Sequence, residues 1–375
     1  MKTRAAILSA IGLPLPYAKS RPLAVETVNL EAPGTGEVLV KVKAAGLCHS
    51  DLSVINGDRV RPVPMVLGHE AAGIVEALGP GVDDLAVGEH VVMVFVPSCG
   101  HCLPCAEGRP ALCEPAFAAN SAGTLLSGAR RLSRNGSALN HLLGVAAFAD
   151  YVTVSRRSLV KIDRSLPFEH AALFGCAVLT GVGAVVNTAA LKSGQTAAVV
   201  GLGGVGLAGL LGAVASGASR IVAVDVNPDK LALAKQLGAT HTVNGRDADA
   251  IDQVRAATGG GVDFAFDFAG SVQALETAYR VTRRGGTTVS AGLPNPKHSF
   301  PLPALNLVAE ERTVKGSYIG TCVPLRDVPR YVALFQQGKL PVDKLLTGRL
   351  KLEEINEGFD RLHAGEAIRQ VVTFE

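Results

Sequence analysis

An α/β architecture, in which a doubly wound parallel sheet follows a mainly β domain, is predicted by three observations. From Thr196 to Ala291 short apolar runs alternate with helix-length segments, the rhythm of strand–helix–strand units in a parallel sheet. Ahead of them lie short β-type runs broken by Gly, Pro and Asp, the pattern of a mainly β region. The chain has 375 residues, enough for two domains at roughly 150 residues each.

The elements follow in order. At the N-terminus Lys2 and Arg4 precede the apolar stretch Ala5 to Leu15, a loose imitation of a leader peptide. Pro14 and Pro16 interrupt it and strand-like sequence continues directly, so export is not expected. Glu37 to Ala44, Ala71 to Ala77, Glu89 to Val96 and Tyr151 to Val154 read as strands of the first domain. Two stretches, Ala171 to Leu191 and Ser193 to Ser219, lack Asp, Glu, Lys and Arg and are long enough to cross a bilayer. The second holds eight glycines and opens with the strand-like run Thr196 to Val200, so a buried strand and turn are expected, not a membrane span. Ala197 to Val200 reads as a strand, Val205 to Ser216 as a helix, Ile221 to Val226 as a strand, and Pro228 to Leu237 as a helix with proline in its first turn. Phe264 to Phe268, Val272 to Val281 and Thr287 to Ala291 repeat the scheme. After about Gly320 the rhythm stops, and a helical Glu353 to Leu362 and a strand-like Ile368 to Phe374 form a tail expected to rejoin the first domain.

Charge narrows the function classes. Lys and Arg total 36 against 33 acids, a net +3, too balanced to mark a nucleic-acid or membrane surface. A small neutral substrate fits better. Seven cysteines are too few for a disulfide scaffold in a chain of this length, and four of them crowd between Cys99 and Cys113, which reads as metal binding in a reducing cytoplasm.

Gly201-Leu-Gly203-Gly204-Val-Gly206 matches G-x-G-x-x-G. It follows a strand, opens a helix and is trailed by Asp225 at the end of the next strand, the context of a dinucleotide site. Gly201 allows the tight turn, Gly203 lets backbone approach a pyrophosphate, and Gly206 lets helix and strand pack closely. The helix N-terminus offers N–H groups and partial positive charge to phosphate. Asp225 would accept hydrogen bonds from an adenosine ribose, and it disfavours a 2′-phosphate, selecting NAD over NADP. Lys230 stands near enough in sequence to reach the same ribose.

Cys99-Gly-His-Cys102-Leu-Pro-Cys105, with Cys113 after a further seven residues, supplies four thiolates along one loop, enough to close a structural Zn²⁺ tetrahedron. An iron–sulfur cluster shares the C-x2-C-x2-C spacing but normally takes a further cysteine followed by proline, which is missing. Cys48 stands in Gly46-Leu-Cys48-His49-Ser50-Asp51, His69 in Gly68-His69-Glu70, and Cys176 in Gly175-Cys-Ala-Val-Leu-Thr180. Cys, His and Cys from separated loops make the open three-ligand arrangement of catalytic zinc. Each cysteine alone also reads as a small buried hydrophobe.

With these motifs in this order, the sequence resembles the zinc-containing medium-chain alcohol dehydrogenases, and the likeness extends through Ile355-Asn-Glu-Gly-Phe359 to Gly365-Glu-Ala-Ile-Arg369. The resemblance implies a GroES-like catalytic domain at 1–177 and 321–375 and a Rossmann dinucleotide-binding domain at 178–320. It implies two Zn²⁺ per chain: a catalytic ion on Cys48, His69 and Cys176, with Glu70 beside it and Asp51 fixing the His69 tautomer, and a structural ion on Cys99, Cys102, Cys105 and Cys113. Ser50 matches the hydroxyl that bonds the substrate oxygen and starts a proton relay. His49, Thr180, Gly201, Gly203, Gly204, Val205, Gly206, Asp225, Lys230 and Arg369 are implied contacts of NAD. Arg59, Phe95, Leu142, Leu143, Leu293 and Tyr318 are implied around the substrate, as mostly apolar walls.

The implied activity is reversible oxidation of a primary or secondary alcohol to an aldehyde or ketone. Two alternatives stay open: a glutathione-dependent formaldehyde dehydrogenase, whose members carry arginine near where Phe117 stands, and a non-catalytic zinc- or nucleotide-binding relative. Two departures from the pattern stand out. Ser53 occupies the place of a relay histidine, so proton exit must use water or the ribose, and His49 replaces a pyrophosphate-binding arginine of many relatives. A homodimer is implied, with Leu302 to Val308 and Arg312 to Tyr318, both read as strand-like, at its seam.

Overall fold

Strand Glu37–Gly46 buries Val38, Val40, Val42 and Ala44 in alternation, the period-2 pattern of a strand with one face in a core, and it anchors the first unit of the computed structural model, which describes residues 1–375. It pairs antiparallel with Ala71–Leu78 and Tyr151–Ser155. Arg369–Thr373, from the far end of the chain, pairs with it as well, Val371 lying opposite Gly46. His90–Met93, Leu159–Lys161 and Leu346–Leu350 complete this seven-stranded sheet. A second sheet of six strands is built around Lys2–Leu8 and Leu23–Leu30. The apolar stretch Ala5 to Leu15 lies in this strand only as far as Leu8, and Ala5 to Leu8 are fully buried.

The second unit is a parallel sheet of six strands: His241–Asn244, Arg220–Asp225, Thr196–Val200, Val262–Asp267, Thr282–Ser290 and Thr313–Gly316, side by side. In chain order this is 3-2-1-4-5-6, the Rossmann arrangement, whose strand order reverses beside the first strand. Val200, Val222, Val224, Val254, Ala265 and Val281 form part of its core. Helix Gly204–Ala215 is buried almost throughout, which explains its uncharged sequence. No helix is long and apolar enough to cross a membrane.

Two compact units result, Met1–Cys176 with Val323–Pro329 and Leu346–Glu375, and Ala177–Cys322 with Arg330–Leu345. Segment 330–345, expected in the first domain, belongs to the second unit, where Val342–Leu345 packs against helix Gly204–Ala215. Leu302 to Val308 is not a strand: Ala304–Ala309 is a helix with Pro303 at its N-cap. Pro301 and Pro303 cannot donate to a strand ladder, whereas proline suits a helix start.

Candidate metal centres and dinucleotide cradle

Antiparallel pairing brings the first ligands together. Ala45 lies opposite Ala71, so the chain leaving strand Glu37–Gly46 toward Cys48 meets the chain entering Ala71–Leu78 from His69. The Gly46 N–H donates to the Glu70 carbonyl at 2.9 Å. Gly175 admits the third ligand, since a Cβ there would stand 2.4 Å from the Met93 carbonyl oxygen. The ligand atoms of Cys48, His69 and Cys176 lie within 4.8 Å of one another, and all three residues are buried.

Asp51 braces this cluster. One carboxylate oxygen accepts the Gly68 N–H at 2.9 Å and the other stands 3.0 Å from His69 Nδ1. Although burial opposes a charged imidazole, Asp51 and Cys48 hold His69 well above its ordinary pKa. Cys48 is pulled well down, first by the Cys176 thiol and also by Arg369 and His69, while its partner Cys176 is pushed up by Cys48 and by burial. His69 Nε2 is buried with no nitrogen or oxygen partner. Two sulfurs and an orphaned imidazole nitrogen are a borderline-soft donor set that fits Zn²⁺.

Glu70 and Arg369 form a buried ion pair at 2.8 Å, and Arg369 also donates to the Leu47 carbonyl. Arg369, expected at the nucleotide, thus sits in the first unit, with Nε lacking a partner. Phe95 meets His69 edge-on at 5.3 Å, and its carbonyl accepts from Asn120 Nδ2 at 2.9 Å. Asn120 was not foreseeable, because 25 residues separate it from Phe95 and only tertiary packing joins them. Leu142 is buried, Leu143 takes φ 51° in a tight turn, and Arg59 and Ser50 are half-buried. His49 is exposed in the first turn of helix His49–Ile55, where Ser53 Oγ returns a bond to the His49 carbonyl.

Cys99, Cys102, Cys105 and Cys113 likewise have sulfurs within 4.8 Å of one another. Burial opposes ionisation, but N–H groups of His101 and Cys102 bring Cys99 down to about 6, whereas burial pushes Cys105 up to about 12. Four sulfurs with no open position fit a closed structural Zn²⁺ site.

In the second unit, Gly201 has φ +88° and a Cβ on it would meet the Ala269 backbone at 2.7 Å, and one on Gly206 would stand 1.8 Å from the Gly201 carbonyl oxygen. Gly203 is different: nothing lies within 4 Å of its Cβ position. That open cradle, ahead of a helix N-terminus with no side-chain cap, fits a pyrophosphate. The helix opens with Gly204, Val205 and Gly206. Asp225 accepts the Leu202 N–H at 2.6 Å and the Asn227 N–H at 2.9 Å, which fixes its carboxylate beside the cradle. Lys230 lies in the first turn of helix Pro228–Gln236, and Thr180 is buried on helix Ala177–Gly183. Leu293 and Tyr318 are 51% and 40% exposed.

Comparison with known proteins agrees with both halves. Residues 34–164 match the alcohol dehydrogenase GroES-like domain and residues 204–337 the zinc-binding dehydrogenase model. An alcohol dehydrogenase zinc-binding domain protein from Burkholderia ambifaria is 35% identical, with 100% of this chain and 99% of that one covered and a TM-score of 0.94. Benzyl alcohol dehydrogenase from Acinetobacter calcoaceticus is 33% identical over 100% of both chains, with a TM-score of 0.93. A chain from Sinorhizobium meliloti, described as a zinc-binding dehydrogenase and bound to NADP, is 27% identical over 100% of both chains, with a TM-score of 0.79.

Proposed function

The chain belongs to the zinc-containing medium-chain alcohol dehydrogenase family, and from that premise we propose that it reversibly oxidises a primary, or secondary, alcohol with NAD as hydride acceptor. The observation that carries this reading is the buried Cys48, His69 and Cys176 cluster with its orphaned imidazole nitrogen. Cys48, His69 and Cys176 would hold one Zn²⁺ and the four-cysteine loop a second. When bound, the catalytic ion supplies Lewis acidity toward an alcohol oxygen and the nicotinamide supplies a hydride acceptor.

The chain's own residues do the rest. Asp51 orients His69 and raises the basicity of its free nitrogen. Two cysteine thiolates would balance a divalent ion, and Glu70 and Arg369 cancel each other. Ser50 Oγ takes the proton leaving the alcohol and passes it outward through water or the ribose, because the Ser53 hydroxyl is engaged with the helix backbone. Phe95 and Leu142 offer buried apolar contact to a substrate body. An aliphatic or aromatic primary alcohol suits them, and the benzyl alcohol dehydrogenase relative supports the aromatic choice.

Asp225 supports NAD. A carboxylate about 4 Å from a 2′-phosphate costs on the order of 4 kcal/mol at an effective dielectric near 20, roughly a thousandfold in affinity. The protein would act in a reducing cytoplasm, where its seven free cysteines stay thiols. It would act as a homodimer, since edge strand Thr313–Gly316 and Leu305 and Val308, 79% and 77% exposed, form an apolar margin suited to a second copy.

A panel of alcohols and aldehydes assayed with NAD(H) and NADP(H), with and without glutathione for formaldehyde, tests the reading. Cys48→Ser should lower zinc from about two to about one per chain and turnover by at least about a thousandfold, with NADH binding retained. Full activity in that variant, or a preference for NADP, would overturn the assignment.

A further inference from the structure

We propose that Asp267 sets the redox preference of the nucleotide site, its buried negative charge favouring the oxidised, pyridinium form of a nicotinamide dinucleotide over the reduced form. The inference rests on the dinucleotide reading above and holds whether the cofactor is NAD or NADP.

Position is the first observation. Asp267 ends strand Val262–Asp267 opposite Val200, the residue ahead of the glycine turn. The Phe268 N–H, one residue on, donates to the Val200 carbonyl at 2.9 Å. Here the strand order reverses, the crevice at which sheets of this kind take a dinucleotide. Asp225 ends the neighbouring strand on the adenosine side of that point. Asp267 ends the strand on the other side, and its Oδ2 accepts the Ser290 hydroxyl at 2.8 Å from the end of the next strand, Thr282–Ser290. That half of the sheet serves the nicotinamide mononucleotide.

Charge is the second. Asp267 is 1% exposed, yet every group that donates to its carboxylate is neutral: the Ser290 hydroxyl, the Ala269 N–H at 3.1 Å and the Gly270 N–H. Burial pushes its carboxyl up, and these donors pull it back. Both oxygens accept, which holds the group as a carboxylate. Asp263, on the same strand, is different, for Arg283 neutralises it at 2.7 Å. Burying a charge without a counter-ion is costly, and the fold nevertheless closes on this one. Ala291 and Gly292 both donate to the Asp267 carbonyl at 3.0 Å, and a Cβ on Gly292 would stand 2.9 Å from Oδ2. An oxidised nicotinamide ring carries the positive charge that the reduced ring lacks, so it alone gains from this carboxylate. At about 10 Å and an effective dielectric near 20, one unit charge is worth more than threefold in affinity.

The experiment measures Kd for NAD⁺ by calorimetry and for NADH by fluorescence titration on the zinc-loaded protein, without substrate. Asp267→Asn removes the charge and keeps the shape: Oδ1 still accepts the Ala269 N–H, and the Ser290 hydroxyl can turn to accept from Nδ2. Its Tm should not fall, and the ratio of Kd for NADH to Kd for NAD⁺ should drop at least threefold. Ser290→Ala removes a neutral donor and keeps the charge, so its ratio should stay within twofold of the parent. An equal shift in Ser290→Ala, or loss of both nucleotides together with a lower Tm in Asp267→Asn, would overturn the proposal by making Asp267 a purely structural brace. Binding of both forms with the ratio unmoved in Asp267→Asn would overturn this inference alone. A parent that binds neither form would overturn the dinucleotide reading and the inference with it.

Discussion

Asp51 ties three positions together with one carboxylate: its own, Gly68 through the backbone N–H, and His69 through Nδ1. Partners of this kind are worth about 10- to 100-fold in metal affinity. Asp51→Asn should therefore weaken zinc at the first centre by that factor while the four-cysteine centre stays loaded, as chelator competition with metal analysis would reveal. His141 supplies a pH test. It is fully buried, and its Nε2 accepts the Arg131 N–H at 3.1 Å. Burial outweighs the attraction of Glu37, and with repulsion from Arg130 and Arg131 brings its pKa down to about 4. Below about 6.5 the unfolded chain takes up a proton that the folded one refuses until about pH 4, so stability present above 6.5 is lost across that window, about 3 kcal/mol in all. His141→Gln should flatten Tm against pH between 7 and 4.5, and parallel curves would count against the assignment. The clustering of Cys99, Cys102, Cys105 and Cys113 was legible in their spacing, and that of Cys48, His69 and Cys176 with Asp51 beside them came from the resemblance. The Glu70–Arg369 pair joins residues 299 apart, and no local pattern announces such a contact.

At the level of elements, the glycine turn separates packing from ligand approach. Gly206→Ala drives a Cβ to 1.8 Å from the Gly201 carbonyl oxygen and should destabilise the fold by about 3 kcal/mol. Gly203→Ala meets nothing within 4 Å and keeps φ −71°, so its Tm should match the parent while NADH binding weakens at least tenfold. Calorimetric unfolding and NADH fluorescence titration distinguish the two. Equal NADH affinity in Gly203→Ala would remove the pyrophosphate from this turn. The strands and helices from Thr196 to Gln236 and from Phe264 to Ser290 were legible because apolar runs and helix-length segments alternate there, whereas strand His241–Asn244 and helix Ala250–Thr258 between them carry too short an apolar signal to be named. Helix Ala304–Ala309 was not, because apolar residues in a short run fit either periodicity and the prolines ahead of it decide the matter.

For the whole molecule, the return of the tail to the first unit was legible, since a strand-like end after the alternating region needs a sheet to join. The place where it returns was not, because the boundary between Pro329 and Arg330 falls inside helix Pro324–Gln336, where no loop or composition change marks it. Self-association is the prediction at this scale. Sedimentation should give twice the chain mass, and Leu305→Asp with Val308→Asp should halve it; a parent that sediments as one chain would sink the dimer. One feature of the second unit bears on its behaviour under heat. From Ser193 to Ser219 no charged side chain interrupts the sequence, and in the fold nearly all of helix Gly204–Ala215 is hidden. Melting that unit would bare a sticky segment without gatekeepers. Thermal inactivation should then run one way into precipitate, set by how fast the unit opens rather than by an equilibrium midpoint.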